Sequence, residues 1–250
     1  GMFWIVQIAA LTATAYLLIV FRKDTAKIEH NERTEVTDFF PTFLLIAMLA
    51  LLIGVSFIQD KPDVTPGIIC LGLMVVGIVY TIIRRKNFSG LKNTLKEIDF
   101  KTLLLLTGIF LIIGGLESVG IIDDIADILV RASGGNLFAL YSLLVWVSVL
   151  VSAFIDNIPY VATMLPVIAG IAASTGMDSG AAMVLYLGLL SGATLGGNLT
   201  PIGASANITA TGILRKEGYE VKTLQYMKIS VPFTLIAVLV GYGLLWAVYA

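Results

Sequence analysis

Ser152-Ala153-Phe154-Ile155-Asp156-Asn157-Ile158-Pro159-Tyr160 and Gly196-Gly197-Asn198-Leu199-Thr200-Pro201-Ile202-Gly203-Ala204-Ser205-Ala206-Asn207 decide the fold of this chain. Both pieces are rich in turn formers and hydroxyls, and both lie inside long apolar sequence. Between residues 132 and 177 the only charge is Asp156, and residues 179–214 carry none. In hydrocarbon an irregular backbone survives only where protein or a watery cavity satisfies its polar groups. A pair of such interruptions is the pattern of a transporter site built from discontinuous helices.

The composition sets the solvent. Of 250 residues, 58% are hydrophobic and 13% charged, against about 25% charged in a soluble domain. Apolar runs of the length that crosses a bilayer, about 20 residues, fall at 3–21, 41–58, 65–83, 101–116 and 231–248. The chain is therefore expected to be an all-α polytopic membrane protein. The first run has no basic segment before it, so it reads as a span and not as a cleaved signal. The single cysteine, Cys70, excludes an intramolecular disulfide and a cysteine metal cluster. No paired Ser/His, zinc or carboxylate-dyad pattern occurs in the spans, so an enzyme is not expected.

Working outward from the two pieces, 137–155 and 158–173 form two apolar arms joined at Asp156-Asn157, a hairpin. Residues 179–214 are too long for one straight crossing: 36 residues at 1.5 Å each reach about 54 Å against a core of about 30 Å. They cross either once with an unwound middle or twice with a turn. The sixteen Lys and Arg decide. Four lie in 22–33, six in 84–101 and four in 215–228, with Lys61 and Arg131 alone. A single crossing puts fourteen on one side against two, whereas a double crossing leaves ten against six. The stronger bias fits the positive-inside rule. The hairpin then enters from outside, and 196–205 is unwound near mid-membrane.

Between the spans, Phe88, Leu91, Leu95 and Ile98 recur at helical spacing, an amphipathic interface helix at about 87–100. Ile121, Ile125, Ile128 and Leu129 form another stripe, with Asp123, Asp124 and Asp127 turned away, and Gly134-Gly135 ends that helix. Gly188, Gly192 and Gly196 at four-residue spacing give a surface on which a partner helix, plausibly a hairpin arm, can approach closely. Ser191 and Thr194 read as bonding back to their own helix.

Asp156 supports two readings. An ionisable group within the membrane is by default a functional site, here a proton carrier or cation ligand; Asp-Asn is also an ordinary turn. Pro159 marks the start of a second half-helix whose positive dipole end suits an anion. In the second piece Gly196, Gly197 and Gly203 free the backbone, and Pro201 breaks the helical ladder. Asn198, Thr200, Ser205 and Asn207, with the freed carbonyls, offer hard oxygens of the kind Na⁺ takes.

The run Asp156-Asn157-Ile158-Pro159-Tyr160-Val161-Ala162-Thr163-Met164-Leu165-Pro166, followed by the Gly196–Asn207 piece, resembles the ion transporter superfamily. It is most similar to the arsenite-permease and P-protein branch, related to sodium–dicarboxylate symporters and Na⁺/H⁺ antiporters. The resemblance implies one half of an inverted-repeat, elevator-type transporter with a re-entrant hairpin and a discontinuous helix. It implies a first helix (1–22) on the transport-domain side, scaffold helices (23–136), and a transport domain (137–250) made of hairpin 137–174, broken helix 179–214 and last helix 229–249. Asp156, Asn157, Pro159, Thr163, Gly197, Asn198, Thr200, Pro201, Gly203, Ser205 and Asn207 would surround cation and substrate, with Na⁺ at Asn157, Asn198, Ser205 and Asn207. The dicarboxylate branch carries Ser-Asn-Thr at the tip; here Asp156 and Ile158 flank Asn157.

The function implied is secondary active transport of an oxyanion or organic anion coupled to Na⁺ or H⁺. Two alternatives are a Na⁺/H⁺ antiporter and a non-transporting subunit that completes a partner half. No cofactor is expected beyond the coupling ion, Na⁺ or H⁺. No second copy of either motif occurs in residues 1–131, so the expected partners are the missing N-terminal repeat, in the same or a separate chain, and a homodimer mate. The lipid bilayer and a small inorganic or organic anion complete the expected partners; nucleic acid is not among them. The expected location is a bacterial or archaeal inner membrane.

Overall fold

The computed structural model describes residues 2–23, 38–58, 61–62, 64–85 and 100–250. Among these there are ten α-helices and no strand. They are α1 (Met2–Val20), α2 (Phe40–Ser56), α3 (Thr65–Arg85), α4 (Phe100–Ser118) and α5 (Ile121–Ala132). Then come α6 (Leu137–Ser152), α7 (Asn157–Thr175), α8 (Ser179–Gly196), α9 (Ser205–Lys216) and α10 (Thr223–Tyr249). The expected interface helix at about 87–100 lies, but for its last residue, outside the described residues. Five helices are long and apolar enough to cross a membrane, or six if the pair Leu103–Ser118 and Ile121–Ala132, bent by 74°, counts as one span. The chain is an all-α, multi-pass membrane protein.

The chain divides into two compact units. One comprises Gly1–Thr25 and Leu104–Ala250, the other Ala26–Leu103. The smaller unit is built on α2 packed against α3. Both are apolar through their middle turns, as segments facing lipid or other apolar helices must be, while α3 ends in Tyr80, Thr81, Arg84 and Arg85.

In the larger unit the strongest packing is α6 against α8, with α10 covering α8 and α1 covering α10. The core runs through Leu140, Tyr141, Leu144, Val145 and Val149 of α6, Leu185 and Leu189 of α8, Ile168 and Ile171 of α7, and Val238 and Leu245 of α10. The glycine surface of α8 does meet a hairpin arm. A Cβ at Gly188 would lie 2.7 Å from the Tyr141 ring, one at Gly192 2.6 Å from the Val145 carbonyl oxygen, and one at Gly196 2.5 Å from that of Val149. Backbone therefore touches backbone, and α6 and α8 run parallel. The two arms α6 and α7 barely meet except at their join; each packs on α8 instead.

Local chemistry fixes the helix ends. Asn136 caps α6 through the amide of Ala139, Asp178 caps α8 through that of Ala181, and Gly176 ends α7 in the left-handed conformation. Gly134 and Gly135 both have positive φ and end α5 as expected. The buried face of α5 keeps Ile125 and Leu129 of the stripe read in the sequence, both packed against the core, and extends to its neighbours on one side. Ile122 and Ala126 are buried, whereas Ile121 and Ile128 are exposed. The reason is Gly170 of α7. A Cβ there would lie 3.8 Å from Ala126 Cβ and 3.5 Å from an Asp123 carboxylate oxygen, so the helices approach most closely at the small residues. Asp123 is exposed, with one carboxylate oxygen beside Gly170 of α7.

Thr234 of α10 is fully buried, and its hydroxyl is the one buried side-chain polar atom among the described residues without a protein partner. Thr234→Val is expected to leave stability unchanged or raise it by about 1 kcal/mol, because it removes an unpaired group at constant shape. Thr200→Val, which strips a hydrogen bond from a buried carbonyl, is expected to cost about 1–3 kcal/mol. Denaturation midpoints in detergent compare the two; a larger loss at Thr234 would show that its hydroxyl is satisfied.

Candidate functional site

The hairpin tip and the break in the α8–α9 helix meet. α6 ends at Ser152 and α7 begins at Asn157, leaving four residues for the join. α8 ends at Gly196 and α9 begins at Ser205, leaving the turn Gly197–Ala204. Both new helices start at the same place: the Ser205 hydroxyl donates to a carboxylate oxygen of Asp156 at 2.7 Å. Asp156 is the N-cap of α7. Ala204 gives α9 no side-chain cap. Two helix N-termini, with their positive dipole ends, thus converge on one spot.

Asn157 reaches the unwound stretch directly. Its side-chain oxygen accepts from the Ser152 hydroxyl at 2.5 Å and lies 2.9 Å from where a Cβ at Gly197 would be. Gly197 is therefore required here for close approach. Gly203 is still tighter: its Cβ would sit 2.6 Å from the Gly197 carbonyl oxygen, 2.8 Å from that of Ala153 and 3.0 Å from that of Ser152. Asn207 closes the turn from the far side. Its amide donates to the Gly197 carbonyl at 2.9 Å and to the Thr200 carbonyl at 3.1 Å. The Thr200 hydroxyl, buried, donates to the Ala153 carbonyl.

Asp156, Asn157, Gly197, Thr200, Gly203, Ser205 and Asn207 are thus brought together by direct contacts. Pro201 lies in the same turn, half-buried. Pro159 sits in the first turn of α7, and its carbonyl accepts from the Thr163 hydroxyl at 2.9 Å, so Thr163 is spent within its own helix. Asn198 is separate. No side-chain hydrogen bond joins it to the others; it lines a cavity of about 260 Å³ between α1, α8 and α10. Ser191 and Thr194 line that cavity too, and the bond back to their own helix expected from the sequence is not formed.

The donor set fits a hard cation in type, since carboxylate, amide, hydroxyl and carbonyl oxygens are the ligands such ions take. Asn157, Ser205 and Asn207 carry such oxygens at the junction, with Asp156 bonded to Ser205; Asn198 lines the neighbouring cavity. Four residues outside the expected set belong to the junction. Ser152, fully buried, bonds both Asn157 and the Ala193 carbonyl, the latter at 2.6 Å. The Ser148 hydroxyl and the Tyr160 hydroxyl lie 3.0 Å apart, tying the arms below the tip. Ser230 of α10 donates to the Leu199 carbonyl at 3.0 Å. Ser148 and Ser152 carry a sequence signal, being hydroxyls four residues apart on one face of an apolar helix. Ser230 carries none.

Residues 1–189 match the family model described as citrate transporter, a stretch that includes the hairpin tip and stops before the second break. Over 221 residues the chain is 32% identical to a 46 kDa membrane protein of Mycobacterium leprae, covering 88% of this chain and 49% of that one. It is 36% identical over 163 residues to an uncharacterized transporter of Mycobacterium tuberculosis, 64% of this chain and 38% of the relative. Similarity to the P protein of Homo sapiens is 31% over 205 residues, 79% of this chain and 24% of that one. The chain spans about half or less of the length of these curated relatives. No solved structure matches.

Proposed function

The chain belongs to the citrate transporter family, and from that premise we propose that it is the C-terminal half of a secondary active transporter moving an organic anion coupled to Na⁺ or H⁺. The observation that carries this reading is the junction of hairpin tip and broken helix through Asp156–Ser205 and Asn157–Gly197. An anionic substrate group would be held at the paired N-termini of α7 and α9. The cation would take oxygens from Asn157, Ser205 and Asn207, and Asp156 would carry the proton or complete the cation's shell. An organic carboxylate is favoured over an inorganic oxyanion by the name of the matching family.

In this reading α1, the hairpin, the broken helix and α10 form the moving transport domain, and residues 23–136 the scaffold. The missing repeat, supplied by the rest of the same chain or by a separate one, completes the substrate site. The assembly would be a homodimer in a bacterial or archaeal inner membrane. A Na⁺/H⁺ antiporter is the second reading, favoured by the placement of the Asp156 carboxylate at the junction.

The test is flux into liposomes containing the full-length protein, with citrate or arsenite outside and imposed Na⁺ or pH gradients. Citrate uptake driven by either gradient is the expected result. Proton flux dependent on Na⁺, with no anion moved, would replace it with the antiporter. Asp156→Asn is expected to flatten the pH profile of transport while leaving the hairpin folded, since the amide keeps a side-chain acceptor for capping. A wild-type pH profile in that variant would reduce Asp156 to a turn former.

A further inference from the structure

The larger unit holds polar groups that the transport reading does not use. Ser191, Thr194 and Asn198 follow one another at three- and four-residue spacing along the end of α8 and into the turn beyond it. All three line the cavity between α1, α8 and α10. None of their side chains has a hydrogen-bond partner among the described residues. Hydroxyls on the other apolar helices commonly bond back to a carbonyl four residues earlier, as those of Thr12, Ser142 and Thr175 do. An amide left alone in apolar surroundings is costly, and Asn198 lies in the stretch that the charge count puts near mid-membrane.

The opposite walls are apolar. Ile5, Ala9 and Ala13 of α1 and Phe233, Ala237 and Leu245 of α10 face the cavity, and no charged side chain lines it. The pairing of Met2 with Leu245 at one end of this cavity, and of Leu17 with Tyr226 in the next, shows that α1 and α10 run antiparallel. Ala9 and Ala237 therefore lie at one level, and the hollow opens where both helices carry small side chains. Ser191 sits at the same level on α8, its hydroxyl oxygen 3.4 Å from where a Cβ at Gly241 would be.

These walls select the guest by elimination. An ion would find no counter-charge in a low dielectric. Water would lie against hydrocarbon on most sides, and apolar cavities stay dry. A pure hydrocarbon would leave the Asn198 amide unmatched. An uncharged molecule with an apolar body and one hydroxyl satisfies both walls, because a hydroxyl donates and accepts as the amide does. Volume limits its size. A dry cavity of about 150 Å³ takes a benzene ring, so the 260 Å³ present here takes a ring with a short alkyl chain. We propose that the α1–α8–α10 cavity binds an uncharged alkylphenol-type lipophile, its ring between Ala9, Ala13 and Ala237 and its hydroxyl on the Asn198 amide. Such a molecule enters from the bilayer, and its binding does not depend on which ion the junction takes.

The test uses the full chain purified in detergent, with para-propylphenol and propylbenzene as probes. Their affinities are read by saturation-transfer NMR and referred to the partition of each probe into protein-free micelles. Para-propylphenol is expected to bind about tenfold more tightly than propylbenzene, the step that one net hydrogen bond allows. Asn198→Leu should abolish that preference and leave propylbenzene binding as it is, which also shows that the cavity is still formed. Ala10→Phe, at an exposed position on the cavity wall, should fill the space and remove binding of both probes with an unchanged circular dichroism spectrum. Equal affinity for the two probes in the wild type would overturn the proposal. So would a preference for the phenol that survives Asn198→Leu, or binding that survives Ala10→Phe.

Discussion

Gly203→Ala is expected to abolish transport and to destabilise the protein by about 3 kcal/mol, the upper end for overpacking in a close-packed interior. The added carbon meets three carbonyl oxygens at 2.6, 2.8 and 3.0 Å, all of them backbone. No flexible side chain is there to swing aside, so the turn or the hairpin tip must shift. Since Gly197 and Asn207 hang on the same turn, a shift would pull apart the oxygens gathered at the tip. Gly212→Ala in α9 is the control. Nothing lies within 4 Å of its would-be Cβ, and the loss of helix-interior glycine should stabilise by about 0.5–1 kcal/mol. Denaturation midpoints and liposome flux on both variants read the contrast. Wild-type flux in Gly203→Ala would mean that the turn does not hold this geometry during transport.

The second large effect concerns cation coupling. Asn157→Ala and Asn207→Ala are each expected to weaken Na⁺ activation by about 1–3 kcal/mol, roughly 5- to 150-fold, for loss of a buried polar partner. Both residues act on Gly197: the Asn157 oxygen lies against its α-carbon, and the Asn207 amide holds its carbonyl. Removing either loosens the other, so the double variant should cost clearly less than the sum. Na⁺ titrations of flux on the two single variants and the double variant give the coupling directly. Additive losses would place the residues at separate sites, and unchanged Na⁺ dependence in both would leave a proton-driven mechanism.

The sequence carried the helices and the two interruptions because each has a local cause. Apolar runs have a length, Asp156 and Asp178 are caps, and Gly-Gly and Pro201 break a ladder. It also carried the packing partner of Gly188, Gly192 and Gly196, since a small-residue face calls for another backbone. What it could not carry is anything set by the register between elements. The face that α5 buries depends on Gly170 of another helix, and so the stripe read from spacing held at Ile125 and Leu129 but missed Ile122 and Ala126. Asn198 has the same chemistry as Asn157 and Asn207, but one residue's rotation past Gly197 turns it toward α1 and α10. Ser230 could not be seen at all, because its partner is a backbone carbonyl 31 residues away.

The glycine face of α8 also works as a ruler. Its three seats on α6 repeat every four residues, so a slide of one turn, about 5.4 Å, would carry Gly188 to the Val145 seat and Gly192 to that of Val149. Such a slide would bring Val184 onto the Tyr141 ring, which now rests on bare backbone, and would part Ser152 from Ala193. In the opposite sense Thr200, beyond the end of the helix, would have to occupy the seat of Gly196. The bulky residues at both ends of the scale therefore leave one alignment, and the first hairpin arm and the first half of the broken helix are held as a single piece. α7 has no such scale: it is held by the buried Val167, Ile168 and Ile171 and by the Ser148–Tyr160 contact.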